Sequence, residues 1–252
     1  MKKKIFLSVV IPCYNEKENL QRGVLADVEK YLAKQKYSTE VIISDDGSTD
    51  NSLEFIERFV KKHRRFRLLK NPHSGKPFAV RSGINQAQGE WVLFTDMDQS
   101  APISQIEKLL PYFDRNNDII IGSRGRKRLG FSFLRQLASD LFRLFRQVLL
   151  LKELIDTQCG FKAFKTKVAQ DLFARLLIFK KPKQTKGWRV GAFDVELLFL
   201  AQKRGYRIRE VPIKWHDIDV SSGKKRKFFK ESQEMLKEIL RVKLNDILGR
   251  YQ

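Results

Sequence analysis

Two aspartates separated by one residue are the clearest candidates for chemistry in the sequence. Asp96 and Asp98 directly follow the apolar run Glu90–Thr95 (EWVLFT). Carboxylate oxygens are hard ligands, and Mg²⁺ or Mn²⁺ held by one or two of them keeps coordination positions open for substrate phosphates. The two carboxylates can face a common point if the chain turns there. Because surface turns are also rich in aspartate, this triplet alone leaves a metal site and a simple turn as alternatives.

Two other polar clusters also follow apolar runs. Asp45 and Asp46 come after Glu40–Ser44 and before a glycine, so they could accept hydrogen bonds from ribose hydroxyls or begin a turn. Asn15 and Glu16 come after the first apolar run and could cap a helix. These placements predict a common site but do not name its ligand.

A pair of basic residues lies in the segment HSGKPFAVRSG. Lys76 and Arg81 stand ahead of or within a predicted helix and could reach the phosphates of a ligand. The P-loop pattern G-x-x-x-x-G-K-[ST] is absent, so this is not a P-loop. The basic pair therefore indicates phosphate chemistry only in combination with the acidic clusters.

The elements that must position these residues alternate between strand and helix. Strands are predicted at Ile5–Ile11, Glu40–Ser44, Phe66–Lys70, Glu90–Thr95, Asp118–Gly122 and Arg207–Ile213, with a loop and strand at Asp156–Phe164. Helices are predicted at Glu18–Ala33, Ser52–His63, Pro77–Gln88, Pro102–Phe113, Gly130–Leu151, Lys167–Phe179, Phe193–Tyr206 and Phe228–Leu248. This alternation predicts an α/β fold with a mainly parallel central sheet flanked by helices. Ligands of such sheets bind beyond the carboxyl ends of the strands, where the polar clusters fall.

The order of the motifs resembles a known family. SVVIPCYNE (Ser8–Glu16), SDDGSTDNS (Ser44–Ser52) and the segment Ser74–Asp98 resemble the GT-A glycosyltransferases of family 2 over most of the chain. The later segments Ile121–Arg124, Asp156–Phe164 and Phe193–Trp215 resemble its dolichyl- or polyprenyl-phosphate glucosyltransferase branch, with dolichyl-phosphate mannose synthases as the nearby alternative. The resemblance implies a Rossmann-like GT-A nucleotide-diphospho-sugar transferase fold. We expect one domain over residues 1–252, with a nucleotide-sugar half (1–123) and an acceptor half (124–252).

The resemblance also implies roles in donor binding. The residues that match the family's nucleotide-base pocket are Pro12, Tyr14, Asn15 and Glu16, and Asp45 or Asp46 matches the acidic residue at the nucleoside. Asp96 and Asp98 match the D-x-D that places the metal on the diphosphate. Lys76 and Arg81 match the basic pair of the family's G-K-G-x-A-x-R segment. Here Pro77 replaces the second glycine, so any backbone N–H contact at that position is lost.

Further residues match the family's acceptor side. Arg124 and Arg126 match arginines expected near the acceptor phosphate, and Asp194 falls where inverting members carry an acidic residue close to the acceptor. Glu196 is more readily explained as an acid paired within the core than as a catalyst. His216 could serve a diphosphate or metal, although lone histidines are more often structural.

The implied reaction is an inverting transfer of a hexose from a nucleotide sugar to a polyprenyl or dolichyl phosphate, with Mg²⁺ or Mn²⁺ as cofactor. Glucose from UDP-glucose is favoured as the donor. Transfer of mannose from GDP-mannose, and transfer to a saccharide acceptor that is not a lipid, remain alternatives. A basic nucleic-acid-binding protein would also explain the charge, but no nucleic-acid motif is present and we expect no such partner.

The charge of the chain points to an anionic partner. Fifty Lys and Arg residues against 29 Asp and Glu residues give a net charge of +21. Basic residues are concentrated in Gly122–Lys152, which includes the amphipathic segment Gly130–Leu151, and in Lys224–Lys230. The amphipathic segment fits either the surface of an anionic membrane or a helix that packs on the core with a solvated arginine face, and we expect an anionic membrane surface as a partner. No run of about 18 apolar residues occurs. Two cysteines build no disulfide framework. We therefore expect a cytoplasmic protein that binds peripherally to the inner, or cytosolic, face of a membrane. A separate membrane-protein partner is a further possibility.

Overall fold

The fold is taken from a computed structural model of the 252-residue chain. The structure describes residues 4–114, 116–125, 145, 147, 149–180, 193–216, 218–220 and 228–251, with the backbone alone for 228–235.

A mixed seven-stranded sheet forms the centre of the described fold. Its strands are β1 (Leu7–Cys13), β2 (Thr39–Asp45), β3 (Phe66–Lys70), β4 (Trp91–Phe94), β5 (Ile119–Ser123), β6 (Lys162–Lys165) and β7 (Ile208–Pro212). The spatial order is β3-β2-β1-β4-β6-β5-β7. Only β6 runs against its neighbours, since it pairs antiparallel with both β4 and β5. The predicted α/β fold with a mainly parallel sheet is confirmed.

The strand directions bring distant parts of the chain to one end of the sheet. The carboxyl ends of β1, β2, β4, β5 and β7 all lie at this end, which we call the carboxyl end of the sheet. Because β6 is reversed, its first residue lies there as well, and Lys162 stands opposite Phe94, the last residue of β4. Side chains that precede β6 therefore meet side chains that follow β4.

Helices cover both faces of the sheet. They are α1 (Lys17–Gln21), α2 (Val24–Leu32), α3 (Ser52–Lys62), α4 (Lys76–Gln86), α5 (Ile106–Leu109), α6 (Thr166–Arg175), α7 (Phe193–Lys203) and α8 (Phe228–Ile247). Successive strand residues alternate between the two faces: Val9 and Val41 belong to one apolar cluster, whereas Val10 and Ile42 belong to the other. Both faces are buried, which explains why these strands read as continuous apolar runs.

Two predicted helices are interrupted in the structure. The helix predicted over Glu18–Ala33 is two helices, because Gly23 adopts φ +89°, a left-handed conformation that ends one and begins the next. The segment Pro102–Phe113 contains two 3₁₀ turns on either side of α5, and Pro111 in the second turn has no N–H for a helical hydrogen bond. Within the described residues, no helix combines the length and the apolar character needed to cross a bilayer.

Candidate active site

An ion pair at the carboxyl end of the sheet joins Asp96, just beyond β4, to Lys76, the first residue of α4. Lys76 Nζ lies 2.5 Å from Asp96 Oδ1. Gly75 turns the chain into α4 with φ +101°, and the buried Lys76 side chain extends toward the acidic cluster. Burial alone would lower the pKa of Lys76, but the charges of Asp96, Asp194 and Asp98 outweigh it and raise the pKa. Lys76 is therefore a fixed positive charge beside Asp96.

Asp98 lies close enough to Asp96 for their charges to interact. Burial, followed by the charge of Asp96, raises the pKa of the Asp98 carboxyl. A tight turn holds it, since Gln99 has φ +52° and the Ser100 amide donates to Asp98 Oδ1 at 2.8 Å. Arg22 reaches the same turn from the α1–α2 junction and donates to the Asp98 carbonyl at 2.5 Å. The D-x-D is thus a rigid, partly desolvated pair of carboxylates.

Gly160 packs directly against the Asp96 carboxylate. A Cβ atom placed on Gly160 would lie 2.2 Å from Asp96 Oδ2 and 2.6 Å from its Cγ. The φ angle of Gly160 is outside the left-handed region, so close approach, not backbone conformation, requires glycine here. The loop before β6 therefore forms one wall of the Asp96 site.

Lys162, the first residue of β6, is fully buried and holds Asp194. Its Nζ donates to Asp194 Oδ1 at 2.6 Å and to the Cys159 carbonyl at 2.5 Å. The same ammonium lies 5.3 Å from the centre of the Phe94 ring. Because Asp194 also acts electrostatically on Lys76, positive and negative side chains alternate from Lys162 to the D-x-D.

Arg124, which follows β5, forms a two-pronged contact with Asp156. Its Nε and a terminal nitrogen donate to the two carboxylate oxygens at 2.7 and 2.8 Å, and its guanidinium lies 5.4 Å from the Trp215 ring centre. Burial would lower the pKa of Arg124, but the hydrogen bonds and charge of Asp156 raise it. Glu210 in turn accepts from the Asp156 amide at 2.8 Å. The Arg124 side chain is therefore fixed in position at the carboxyl end of the sheet.

A second group of side chains surrounds Asp46, which follows β2. Its carboxylate is fully buried and accepts from the Ser74 and Gly75 amides at 2.9 and 2.8 Å, and it lies 2.9 Å from His73 Nδ1. Burial raises the pKa of Asp46 despite these contacts. The His73 ring stacks on Tyr14, with ring centres 4.3 Å apart. Asp46 thus ties the loop before α4 to the end of β1.

The other predicted residues of the base pocket shape loops. Asp45 accepts from the Ser48 hydroxyl at 2.5 Å and forms the turn after β2. Asn15, with φ +52°, accepts from the Thr49 amide at 2.8 Å, and Glu16 accepts from Asn19 at 2.7 Å. Pro12 lies inside β1, opposite Ser44, because the strand extends two residues beyond its predicted end.

Arg81 and Glu196 make their described contacts away from the D-x-D, whereas the backbone of His216 lies beside the D-x-D turn. Arg81 lies five residues after Lys76, which turns it about 140° around the helix, and its guanidinium lies over the Phe179 ring at 4.6 Å. Glu196 is buried in the core, where it accepts from the Leu177 amide and from Arg241. His216 is exposed, and its amide donates to the Ser100 carbonyl at 2.9 Å. The residues that lie outside the described part of the chain are Arg126, most of the segment predicted as a helix over 130–151, and the basic run 224–227.

The donor atoms around the D-x-D fit a divalent cation that is shared with a substrate. In the described part of the chain, no three His, Cys, Asp or Glu side chains surround one point. Asp96 and Asp98 supply hard oxygens, and the buried Ser100 hydroxyl makes no hydrogen bond with any described residue. The carboxylates of Asp96, Asp98 and Asp194 all act electrostatically on Lys76, and a fourth carboxylate, that of Asp219, acts on Asp98. A cation bound by two carboxylates and completed by substrate phosphates matches this donor set.

The fold of the chain is the GT-A fold of glycosyltransferases. Glucosyl-3-phosphoglycerate synthase from Mycobacterium tuberculosis superposes with a TM-score of 0.60 at 17% identity, over 98% of this chain and 80% of that chain. The profile described as Glycosyl transferase family 2 matches residues 8–173. The chain belongs to glycosyl transferase family 2.

Two curated relatives match almost the whole chain. Dolichyl-phosphate beta-glucosyltransferase of Dictyostelium discoideum is 36% identical, over 97% of this chain and 76% of the relative. The Saccharomyces cerevisiae protein of the same name is 33% identical, over 99% of this chain and 77% of the relative. These matches confirm the resemblance to the glucosyltransferase branch.

Arg22, Asp156, Gly160 and Lys162 are among the site residues to which the sequence assigned no role. Three of them lie in DTQCGFKAF (Asp156–Phe164), and the acid, glycine and lysine of this segment indicate a functional loop before the strand. Their position depends on the reversal of β6, which strand propensity does not reveal. Arg22 carried no signal, because its contact with the D-x-D depends on the helix break at Gly23.

Proposed function

We propose that the protein transfers glucose from UDP-glucose to a polyprenyl or dolichyl phosphate, with inversion at the anomeric carbon. The observation that carries the proposal is the match to two dolichyl-phosphate beta-glucosyltransferases over at least 97% of this chain. The site is consistent with it, since carboxylates and buried cations converge where a nucleotide diphosphate binds in α/β sheets.

On the donor side, we assign Tyr14 and Asp46 to the nucleoside. The Tyr14–His73 stack offers a flat aromatic surface to a base, and the loops formed by Asn15 and Asp45 frame it. Glu16 stands at the start of α1 beside this surface. The role of Pro12 is to shape the end of β1, since it is buried within the strand.

On the diphosphate, Asp96 and Asp98 would hold Mg²⁺ or Mn²⁺, and the glucosyl-3-phosphoglycerate synthase structure mentioned above is described as a complex with Mn²⁺ and uridine diphosphate. Such a cation supplies Lewis-acid stabilisation of the departing diphosphate. Lys76 contributes a buried positive charge at the same place, where low dielectric strengthens its effect. We assign Arg81 either to a phosphate of the donor farther from Lys76 or to packing on Phe179.

On the acceptor side, Arg124 would bind the phosphate. Two nitrogens of the Arg124 guanidinium donate to Asp156, and the remaining N–H groups of Arg124 can donate hydrogen bonds to an anion. Phosphate is ionised at neutral pH, so the attacking oxygen needs no strong base. Asp194, held by Lys162, would orient the sugar or acceptor. Arg126 would add a second positive charge to this region.

The acceptor places the reaction at a membrane surface. With a net charge of +21, the protein would associate peripherally with anionic lipids on the cytoplasmic or cytosolic face. Such a surface would concentrate the enzyme where its acceptor phosphate is exposed.

A panel of labelled nucleotide sugars tests the proposal. UDP-glucose, GDP-mannose and UDP-galactose are each incubated with the protein, a polyprenyl phosphate and Mn²⁺, and the product is extracted into organic solvent. We expect label in the organic phase from UDP-glucose, and loss of that label with chelator or with Asp96→Ala. Lipid-phase label from GDP-mannose alone would replace the donor assignment, and transfer only to a water-soluble saccharide would reject the lipid acceptor.

A further inference from the structure

The last helix carries an apolar stripe on its outer side. Its members are Leu236, Leu240, Leu244, Ile247 and Leu248, which are 40% to 71% exposed. Their spacing of three or four residues places the first four on one face of α8 and Leu248 just after its last residue, over about 18 Å in all. Large apolar side chains grouped in this way mark an interaction surface, whereas single ones do not.

The opposite face of α8 is fixed to the body of the protein. Ile239 and Val242 are fully buried in the core, and Arg241 donates to the buried Glu196 at 3.1 Å. Just after the helix, the buried Tyr251 packs against the ring of Phe199. The stripe is therefore on the face of α8 opposite to the one that packs in the core.

The charges around the stripe are suited to anionic lipid. By helix geometry, Lys237 lies at the amino-terminal end of the stripe and Lys243 at one edge of it. Of the acids on the described side chains of α8, Glu238 pairs with Arg241, and Asp246 pairs with Lys203 at 2.5 Å and lies 3.8 Å from Lys243. Apolar residues bordered by lysines match the boundary between acyl chains and phosphate headgroups.

A second copy of the chain fits this surface less well. Two copies that met through the stripe would bring lysines of both copies together in a protein of net charge +21. The exposed parts of the five side chains offer on the order of 500 Å², less than the roughly 800 Å² per partner of a stable protein interface.

We propose that the apolar stripe of α8 inserts into the surface of the membrane that carries the acceptor, with Lys237 and Lys243 at the lipid phosphates. The proposal rests on the proposed function, which requires a lipid substrate. It assigns the membrane contact to α8, in addition to the basic segments that the sequence indicates.

Co-sedimentation with vesicles tests the proposal. The wild type, Leu244→Gln/Ile247→Gln and the control Phe55→Gln are mixed with vesicles of phosphatidylcholine alone or of equal phosphatidylcholine and phosphatidylserine. Phe55 is an apolar residue of α3 that is 37% exposed. We expect the wild type and the control to bind the mixed vesicles, and the double variant to bind at least about tenfold less. Equal binding by all three proteins, or no binding by the wild type, overturns the proposal.

A second measurement leaves the stripe almost intact. Ile247→Cys can be labelled selectively with an environment-sensitive dye, because Cys13 and Cys159 are buried. We expect a blue shift of the dye emission when mixed vesicles are added, and an unchanged spectrum overturns the proposal. A stripe-dependent dimer in sedimentation velocity, with vesicle binding unaffected by the double variant, would assign the surface to a second copy instead.

The proposed function is tested separately with a short prenyl phosphate in the absence of vesicles. The double variant should transfer glucose to it as fast as the wild type. Absence of transfer by every form would reject the proposed function, whereas the vesicle experiments decide the role of α8 independently.

Discussion

Substitution of Gly160 by alanine tests whether the position of the Asp96 carboxylate governs catalysis. The added Cβ would lie 2.2 Å from Asp96 Oδ2 and 2.9 Å from Oδ1, where ordinary contacts begin at 3.4 Å. The carboxylate must therefore move by about 1 Å, and a displacement of this size can reduce a rate about 100-fold. That factor corresponds to about 2.7 kcal/mol of transition-state stabilisation. The backbone of Gly160 accepts alanine without strain, so the protein should still fold.

The assay compares kcat for glucose transfer at saturating UDP-glucose and the Kd for Mn²⁺ of the wild type and Gly160→Ala. Gly205→Ala is the matched control, since its φ of +75° makes alanine unfavourable while nothing lies within 4 Å of the new Cβ. We expect the control to lose some thermal stability and retain its kcat. A Gly160→Ala protein with kcat and Mn²⁺ affinity within about threefold of the wild type would refute the reasoning, because a displaced metal ligand must change at least one of them.

Three further predictions concern the surrounding contacts. Lys162→Met should reduce the free energy of unfolding by about 3–5 kcal/mol in urea denaturation, because it leaves the largely buried Asp194 carboxylate without its closest cation; a loss below about 1 kcal/mol would contradict this. Arg124→Lys should raise KM for the acceptor about tenfold, with a smaller effect on kcat, because lysine cannot form the two-pronged contact with Asp156; an unchanged KM would argue against the acceptor role. Burial raises the pKa of Glu196, so the wild type loses stability as the pH rises from the unfolded pKa of about 4.3 through the higher folded value. The Tm of Glu196→Gln relative to the wild type should therefore increase over that pH range. A Tm difference that does not change with pH would show that the pKa of Glu196 is not raised in the folded protein.

The sequence predicted the order of the elements because buried strands and amphipathic helices have distinct patterns. The polar clusters after β1, β2 and β4 were correctly placed at one end of the sheet, since parallel strands impose that arrangement. The break at Gly23 was missed because the apolar pattern continues through it, and only the φ angle distinguishes a helix junction from a helix interior.

The part of the site that follows β5 could not be derived from pattern alone. Gly160 reaches Asp96, and Lys162 reaches Asp194, because β6 runs in the opposite direction to its neighbours in the sheet. Strand direction depends on the path of a long connection, and local propensity contains no information about it. Likewise, the spacing of Lys76 and Arg81 suggested a pair, whereas helix geometry separates them.

The most direct test of the central claim is the structure of the product formed from UDP-glucose and a polyprenyl phosphate. The lipid-linked product is isolated by extraction, and its anomeric configuration is determined by NMR. We predict a glucosyl phosphate in the β configuration from the wild type and none from Asp96→Ala. An α-linked product, or no lipid-linked glucose from the wild-type protein, would contradict the account.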